Sequence, residues 1–295
     1  MDLTRSYLNR FVDGYGLRLE ELTVEIPGYG RTFAFALEGH TPRGMERPVP
    51  GVIFFHGTGN DSIFPHLGLF YDLLQKGYRV MSFDLPGHGT QSTTVLSATG
   101  QFALVTGVVE HLLKNLRDRN RSLGPGPCWG IGYSLGGAYL AHLAALEPFF
   151  AGLVLVATPV TLKLGWQAAV CELLAPAMGD IYAHKHLYGW RGLFPAVGPF
   201  GRRHFPLRLA EQRVYWDVVR DVIEACQVEA SLQKARVRTQ LIYAQWDRIA
   251  HPQQGVHLAS TSGLAEFLSV IPHHTHYSLL FWRQLGDRVV EFFER

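Results

Sequence analysis

The chain has 295 residues, of which 47% are hydrophobic and 18% are charged, a composition that can bury the core of one large globular domain. Its formal net charge is +2, with lysine and arginine scattered along the chain, which argues against a nucleic-acid-binding protein built on a basic patch. The three cysteines are odd in number and widely spaced, so we expect no disulfide framework and a reducing, cytoplasmic compartment.

The sequence shows no targeting, membrane or metal-site signal. The stretch 1–16 is polar and interrupted, without the apolar core or the small-residue cleavage site of a signal peptide. No run approaches the roughly 18 apolar residues of a membrane helix. The 14 histidines are mostly dispersed, and no Cys/His run has zinc-site spacing. We therefore expect no integral membrane association and no metal.

Predicted strands and helices alternate along most of the chain. Alternating runs bounded by glycine predict an antiparallel hairpin at 22–28 and 31–39. Continuously apolar runs, typical of strands buried on both faces of a parallel sheet, follow at 50–57, 78–89, 128–134, 151–158, 239–247 and 266–274. Helical patterns occur at 64–77, 102–119, 134–148 and 277–295. The alternation predicts an α/β protein with a mainly parallel central sheet, an antiparallel amino-terminal edge hairpin, and helices on both faces.

One segment, 159–234, interrupts this alternation. It contains no convincing strand, and its short helical stretches are broken by glycine and proline. It begins directly after one predicted strand and ends just before the next, which places it at the carboxyl edge of the sheet, where open α/β folds bind ligands. We therefore predict a core domain formed by 1–158 and 235–295, and a mostly helical cap formed by 159–234.

A glycine-lined corner joins a predicted strand to a predicted helix at Gly132-Tyr133-Ser134-Leu135-Gly136. It matches the nucleophile elbow G-x-S-x-G, in which a strained turn exposes a serine hydroxyl above the sheet. The glycines on either side let strand and helix approach each other. A turn that only packs a helix on a strand is the alternative. Because both flanking elements are predicted, we favour Ser134 as a nucleophile and the backbone amide of Leu135 as an oxyanion donor.

A serine hydroxyl needs a base that removes its proton. After the last predicted strand the chain carries His273, His274 and His276, and we choose His276 because it directly precedes the apolar start of the final helix. Asp247 follows the preceding strand and completes the chain order Ser, Asp, His. Taken alone, the histidine is better explained as a helix cap and the aspartate as a turn residue.

The loop after the strand at 50–57 offers a second oxyanion donor. Gly57 lets the backbone turn in closely, and the amide of Thr58 can then face the amide of Leu135. A plain glycine turn at the end of a strand is the alternative.

Five motifs spread from residue 50 to the carboxyl terminus resemble those of the α/β-hydrolase fold, in the serine-hydrolase branch that includes monoglyceride lipases, carboxylesterases and serine-aminopeptidase-like proteins. They are HGTG, DLPGHGTQS, GYSLGG, WDRIAHP and PHHTHYSLL. The resemblance implies acyl transfer to Ser134, with His276 as general base and then acid, Asp247 as its orienting partner, and no metal or organic cofactor.

The same resemblance implies that His56, Asp84 and His88 are structural rather than catalytic. Members of that branch commonly have glycine before the catalytic histidine, where this chain has Thr275. His276 remains the predicted base, with His273 and His274 as the alternatives.

Aromatic side chains are dense in the predicted cap, where they form either an apolar or aromatic acyl-binding wall or the cap's own small core. The candidates for the substrate pocket are Tyr133, Trp166, Trp190, Phe194 and Trp216. The predicted function is a serine hydrolase of carboxylic esters or thioesters with a small-molecule substrate. The alternatives are a C–C bond hydrolase or acyltransferase on the same triad, and a non-catalytic small-molecule receptor. The sequence does not indicate an oligomeric state.

Overall fold

The computed structural model describes residues 3–39, 48–89, 97–119, 126–162 and 212–295. Eight strands in these ranges form one sheet: β1 Arg18–Ile26, β2 Gly30–Glu38, β3 Gly51–Phe55, β4 Arg79–Phe83, β5 Cys128–Tyr133, β6 Gly152–Val156, β7 Thr239–Ala244 and β8 Leu268–Ile271. Their order across the sheet is β1-β2-β4-β3-β5-β6-β7-β8. In this order, the six strands β4, β3, β5, β6, β7 and β8 pair in parallel. β1 pairs antiparallel with β2, and β2 pairs antiparallel with β4. The predicted mainly parallel sheet with an antiparallel amino-terminal edge is confirmed.

The edge hairpin differs from its prediction only in its bounds. Gly28 and Gly30, with φ of 80° and 102°, form its turn in a region of backbone space that favours glycine. β1 begins at Arg18, earlier than the predicted start at residue 22, because an edge strand accepts polar side chains at partly exposed positions and so lacks a clear hydrophobic pattern.

The helices of the described residues are α1 Leu3–Tyr15, α2 Leu67–Gln75, α3 Ala98–Arg119, α4 Leu135–Leu146, α5 Gln212–Cys226, α6 Val228–Ala235, α7 Pro252–Thr261 and α8 Leu285–Glu294. Short 3-10 turns lie at Ala265–Phe267 and Ser278–Phe281. The prediction of one continuous helix over 277–295 is wrong at its start, because Trp282 is extended and separates the second 3-10 turn from α8. None of the described helices is long and apolar enough to cross a membrane.

Helix α1 was not predicted, and α7 was predicted without bounds in the stretch between Asp247 and His276. The amino-terminal α1 buries Leu8 and Phe11 in the core, although its overall polarity suggests an irregular segment. α7 starts at Pro252, a position in the first helical turn that suits proline because no backbone donor is lost there.

Helices cover the sheet on both faces. The ring of Trp129 in β5 stacks on Phe293 of α8, with ring centroids 4.4 Å apart. A Cβ on the next residue, Gly130, would instead overlap the side chain of Leu140 in α4. Because successive residues of a strand point to opposite faces, α8 and α4 lie on opposite sides of the sheet. Every residue of β3, β5 and β6 is buried, as expected for parallel strands covered on both faces.

The carboxyl-terminal part of the predicted cap packs on the core. α5 and α6 both contact α4, and Val222, Ile223 and Cys226 of α5 belong to the main hydrophobic cluster. Residues 163–211 of the predicted cap lie outside the described residues. The division into a core and a cap stays a prediction.

Candidate active site

Ser134 occupies a strained turn between the last residue of β5 and the first residue of α4. Its φ of 52° and ψ of −119° lie in a region that residues with a side chain rarely adopt. Its N–H donates to the carbonyl of Val156 in the neighbouring strand β6, at 2.9 Å. The sheet therefore holds the serine in this conformation at the carboxyl end of its central strand.

The two glycines of the elbow are required by close backbone contacts. A Cβ on Gly132 would overlap the backbone of Gly137 in the first turn of α4. A Cβ on Gly136 would overlap the carbonyl groups of Phe55 and His56 at the end of β3. Backbone atoms of a sheet cannot move aside, so any side chain at either position would push β5, α4 and β3 apart.

His276 bridges Ser134 and Asp247 by hydrogen bonds. Its Nε2 lies 2.9 Å from the serine Oγ, and its Nδ1 lies 2.7 Å from Asp247 Oδ2. The other carboxylate oxygen, Oδ1, accepts from the N–H groups of Ile249 and Ala250, both at 2.8 Å. With the imidazole proton on Nδ1, facing the carboxylate, Nε2 is left to accept the proton of the serine hydroxyl.

The neighbouring histidines make other contacts. The N–H of His273 donates to Gln245 Oε1 at 3.2 Å, and its ring is exposed. His274 Nδ1 lies 2.9 Å from the carbonyl of Pro272. Of the three candidates, His276 is the one that the structure brings into hydrogen-bond distance of both the serine and the aspartate.

Backbone hydrogen bonds tie the loop that carries the acid to the loop that carries the base. The N–H of Gln245 donates to the carbonyl of Ile271, and the N–H of Trp246 donates to the carbonyl of His274, each at 2.9 Å. Both loops follow parallel neighbours, β7 and β8, at the carboxyl edge of the sheet. The distance between the carboxylate and the imidazole is therefore set by main-chain contacts.

The loop after β3 lies against the elbow. A Cβ on Gly57 would overlap the ring of Tyr133 and lie 3.1 Å from the Cβ of Ser134. Thr58, the next residue, is partly exposed beside this contact. Leu135 begins α4, so its N–H belongs to the first turn, where helical amides have no intrahelical partner.

His56 braces this loop from below. It is fully buried, and its Nε2 accepts the N–H of Leu85 while its Nδ1–H donates to the carbonyl of Gly57, both at 2.9 Å. The ring of His88 lies 5.0 Å away. Burial lowers the pKa of His56 to about 4 and the pKa of His88 to about 3, so both rings are neutral at pH 7.

Asp84 also stabilises this region by hydrogen bonds. Its side-chain Oδ1 accepts the N–H and the hydroxyl of Ser62, at 3.1 and 2.7 Å. Its backbone carbonyl accepts the hydroxyl of Thr32 at 2.7 Å. A Cβ on Gly89 would overlap this carboxylate. These contacts fit a structural role.

The predicted pocket residues fall in three places. Tyr133 is buried, and its hydroxyl donates to the backbone carbonyl of His276 at 3.1 Å, so it lies behind the triad rather than on an open wall. Trp216 is partly buried against the hydrophobic cluster from α5. Trp166, Trp190 and Phe194 lie outside the described residues.

Three backbone groups of the site were missed by the sequence reasoning: the amides of Ile249 and Ala250 that bind Asp247, and the Val156 carbonyl that binds Ser134. The first two had a signal. An aspartate that starts a loop commonly accepts amides two and three residues ahead. Nothing in the sequence identifies the carbonyl, because it depends on strand register.

Within the described ranges, no group of three His, Cys, Asp or Glu side chains is arranged to hold a metal ion. Cys128 and Cys226 are buried free thiols. Burial raises the pKa of Cys128 to about 12 and raises that of Cys226 as well, so neither is a thiolate nucleophile at neutral pH.

A mainly parallel sheet with a strand-turn-helix at a buried serine is the architecture of an alpha/beta hydrolase. A model of the alpha/beta hydrolase family matches residues 52–292, and the chain belongs to this family. No curated protein sequence matches the chain.

Solved structures with the same fold span almost the whole chain. A candidate lipase from Acinetobacter baumannii AYE is 18% identical, with a TM-score of 0.67, over 100% of this chain and 97% of that one. A 2-hydroxy-6-oxo-6-phenylhexa-2,4-dienoate hydrolase from Rhodococcus sp. strain RHA1 is 16% identical, with a TM-score of 0.64, over 94% and 100%. Naproxen esterase from Bacillus subtilis is 14% identical, with a TM-score of 0.58, over 98% and 96%. At these identities the likeness concerns the fold.

Proposed function

We propose that the protein is a serine hydrolase that cleaves a carboxylic ester, or a thioester, through an acyl intermediate on Ser134. The observation that carries the proposal is the hydrogen-bonded line from the serine Oγ through His276 to Asp247, with links of 2.9 and 2.7 Å. A receptor that only binds a ligand has no need for a base in hydrogen-bond contact with a strained serine.

In the acylation step, His276 Nε2 takes the hydroxyl proton as the serine Oγ forms a bond to the carbonyl carbon. The carbonyl π pair moves onto oxygen, giving a tetrahedral oxyanion. When the carbonyl re-forms, the bond to the leaving group breaks, and the imidazolium gives its proton to that group. Asp247 keeps the imidazole in the required tautomer and stabilises the imidazolium.

In the deacylation step, water replaces the serine as nucleophile. The imidazole takes a proton from water, the new hydroxyl bonds to the acyl carbon, and the proton then passes to the serine Oγ as the acid leaves. We assign the oxyanion to the backbone amides of Thr58 and Leu135. Each such donor lowers the barrier by roughly 3 kcal/mol in comparable sites.

The acyl group proposed is apolar or aromatic. The structural likeness to a candidate lipase and to naproxen esterase supports an ester of this class. We propose that the predicted cap, 159–234, contributes its binding wall through Trp166, Trp190, Phe194 and Trp216. Cytoplasmic location remains an expectation from the composition.

A C–C bond hydrolase is the second candidate. The observation that favours it is the likeness to a hydrolase of 2-hydroxy-6-oxo-6-phenylhexa-2,4-dienoate, a compound that contains no ester group. The same serine and histidine would serve in that reaction, so the substrate has to decide between the two.

The first experiment is covalent labelling with a fluorophosphonate probe, which reacts with an activated serine. We expect labelling of the wild type, none of Ser134→Ala, and wild-type labelling of Ser260→Ala, a control at an exposed serine in α7. An unlabelled wild type would contradict the hydrolase proposal.

The second experiment is a substrate panel: p-nitrophenyl acyl esters of increasing length, thioesters, anilides and the phenylhexadienoate above. We expect the esters with longer or aromatic acyl groups to turn over fastest. Turnover of the dienoate with negligible rates on every ester would establish the second candidate instead.

A further inference from the structure

Tyr133 precedes the nucleophile and contacts the base from behind. Only 1% of the tyrosine is exposed. Its hydroxyl donates to the backbone carbonyl of His276 at 3.1 Å, and its ring centroid lies 5.2 Å from that of the imidazole. The side chain therefore fixes both the main chain and one side of the ring of the residue that must reach the serine.

The same ring contacts the loop proposed to bind the oxyanion. A Cβ on Gly57 would overlap the ring carbons Cδ1 and Cε1 of Tyr133. The backbone of that loop therefore packs directly against the ring. The elbow, the base loop and the oxyanion loop all meet on this side chain.

The hydrogen bond has a specific consequence for the base. It ties the main chain of the buried His276 to the residue that precedes the nucleophile. Removing the tyrosine hydroxyl loosens that tie, and the imidazole moves with its backbone. Displacements of about 1 Å in a reacting group can lower a rate by up to about a hundredfold.

We propose that Tyr133 is a positioning residue, which holds the imidazole of His276 and the Gly57 loop in register with Ser134, rather than a residue of the substrate-binding wall. The inference rests on the proposed function, in which that imidazole is the base. It assigns a role in the rate of acylation and none in substrate affinity.

The test is Tyr133→Phe, which keeps the ring against the Gly57 loop and removes only the hydroxyl. The matched control is Tyr139→Phe, at a fully buried tyrosine in α4 whose hydroxyl donates to Gln101 Oε1. Both variants lose one buried tyrosine hydroxyl. We measure kcat and KM on the best ester of the panel, the fluorophosphonate labelling rate, and the low-field NMR signal of the His276 Nδ1 proton, all well below the unfolding temperature.

For Tyr133→Phe we expect kcat and the labelling rate to fall about tenfold with KM unchanged, and the Nδ1 proton to exchange faster with solvent. The control should match the wild type in all of these readouts. A raised KM with unchanged kcat would overturn the inference in favour of a binding role. Equal effects in both variants would also overturn it, because the loss would then be a general loosening of the core.

The outcome for the inference is separate from the outcome for the proposed function. A wild type that is not labelled overturns the proposed function, and the proton exchange measurement still tests whether Tyr133 holds His276. A labelled wild type with an equally labelled Tyr133→Phe overturns the inference alone.

Discussion

His276 Nε2 lies 2.9 Å from Ser134 Oγ although 142 positions of sequence separate the two residues. The serine follows β5 and the histidine lies in the loop after β8, two strands that β6 and β7 separate. Their contact therefore depends on how the strands between them pair. The strained serine and the buried imidazole are both unfavourable for stability when taken alone. In the proposed function, their contact activates the serine hydroxyl.

The first prediction concerns the orienting acid. In Asp247→Asn the side-chain amide would donate to Nδ1, which forces the imidazole proton onto Nε2, the atom that has to accept from the serine. We expect kcat to fall by about 10⁴, with the fold retained. Steady-state kinetics measure kcat, and circular dichroism shows whether the fold is retained. Asp217→Asn, at an exposed carboxylate of α5, is the control and should keep full activity. A loss below tenfold would contradict the role of Asp247.

The second prediction concerns the strain at Ser134. With φ at 52°, alanine at this position keeps the strain, whereas glycine relieves it. We expect Ser134→Gly to have a higher free energy of unfolding than Ser134→Ala by about 1 kcal/mol, the reverse of the usual order. Urea unfolding of the two inactive variants measures the difference. The usual order, with alanine more stable, would show that the turn is relaxed.

The third prediction concerns the close approach at the elbow. Gly136→Ala would place a Cβ against the carbonyls of Phe55 and His56. Phe55 is the last residue of β3, and His56 begins the loop that follows it. We expect a loss of at least about 3 kcal/mol in the free energy of unfolding, or no folded protein. Gly14→Ala is the matched control. It lies in α1 with nothing near its Cβ, and should be more stable than the wild type by up to about 1 kcal/mol.

The fourth prediction concerns acid stability. Burial holds three histidines neutral by lowering their pKa values. The pKa is about 4 for His56 and about 3 for His88. The pKa of His66 lies well below its usual value, because the neighbouring His56 adds to the effect of burial. As the pH falls below about 6.5, the unfolded chain binds protons that the folded protein does not. The stabilisation that comes from keeping these histidines neutral is therefore fully present above about pH 6.5 and decreases as the pH falls below it.

From pH 7 to 5.5 each of these histidines should lower the free energy of unfolding by about 1 kcal/mol. Urea unfolding as a function of pH measures the slope. A stability that stays flat from pH 7 to 5 would show that these histidines already bind protons in the folded state.

The fifth prediction isolates His66. Neither ring nitrogen of this buried histidine has a hydrogen-bond partner among the described residues, and its ring packs on Phe54 with centroids 4.4 Å apart. An apolar side chain of similar volume avoids the cost of an unsatisfied polar group, so we expect His66→Leu to be more stable by about 1 kcal/mol at pH 7. It should also reduce the loss of stability between pH 7 and 5.5 by about 1 kcal/mol. A less stable variant with an unchanged slope would contradict both statements.

The local signals of the chain were sufficient for much of the fold and for naming the candidate triad. Runs such as 50–57 and 151–158 are apolar throughout because strands covered on both faces have no polar side, and that pattern survives without any knowledge of the neighbours. The glycines around Ser134 could be recognised because steric exclusion acts between residues close in sequence. α1 was missed because a helix that covers the outside of a domain needs only a narrow apolar stripe.

The contact of His276, rather than His273 or His274, with the serine depends on tertiary structure. The sequence favoured His276 only by its position directly before the predicted final helix, and it carried no information on which imidazole contacts the serine. The geometry separates the three histidines because the hydrogen bonds between Trp246 and His274 and between Tyr133 and His276 orient the loop. Tyr133 itself was predicted to line the pocket. The contact of its hydroxyl with the His276 carbonyl joins residues on different loops, so no local pattern could indicate it.

By itself, the sequence determined the α/β class, the strand-turn-helix at Ser134 and the three residue types that can form a triad, because each depends on periodicity, glycine spacing or chain order. Only the tertiary structure decided which imidazole lies within 2.9 Å of the serine and which backbone groups hold the acid and the base. Those relations join residues on different strands, and their distances are set by sheet register and by packing that no local pattern encodes.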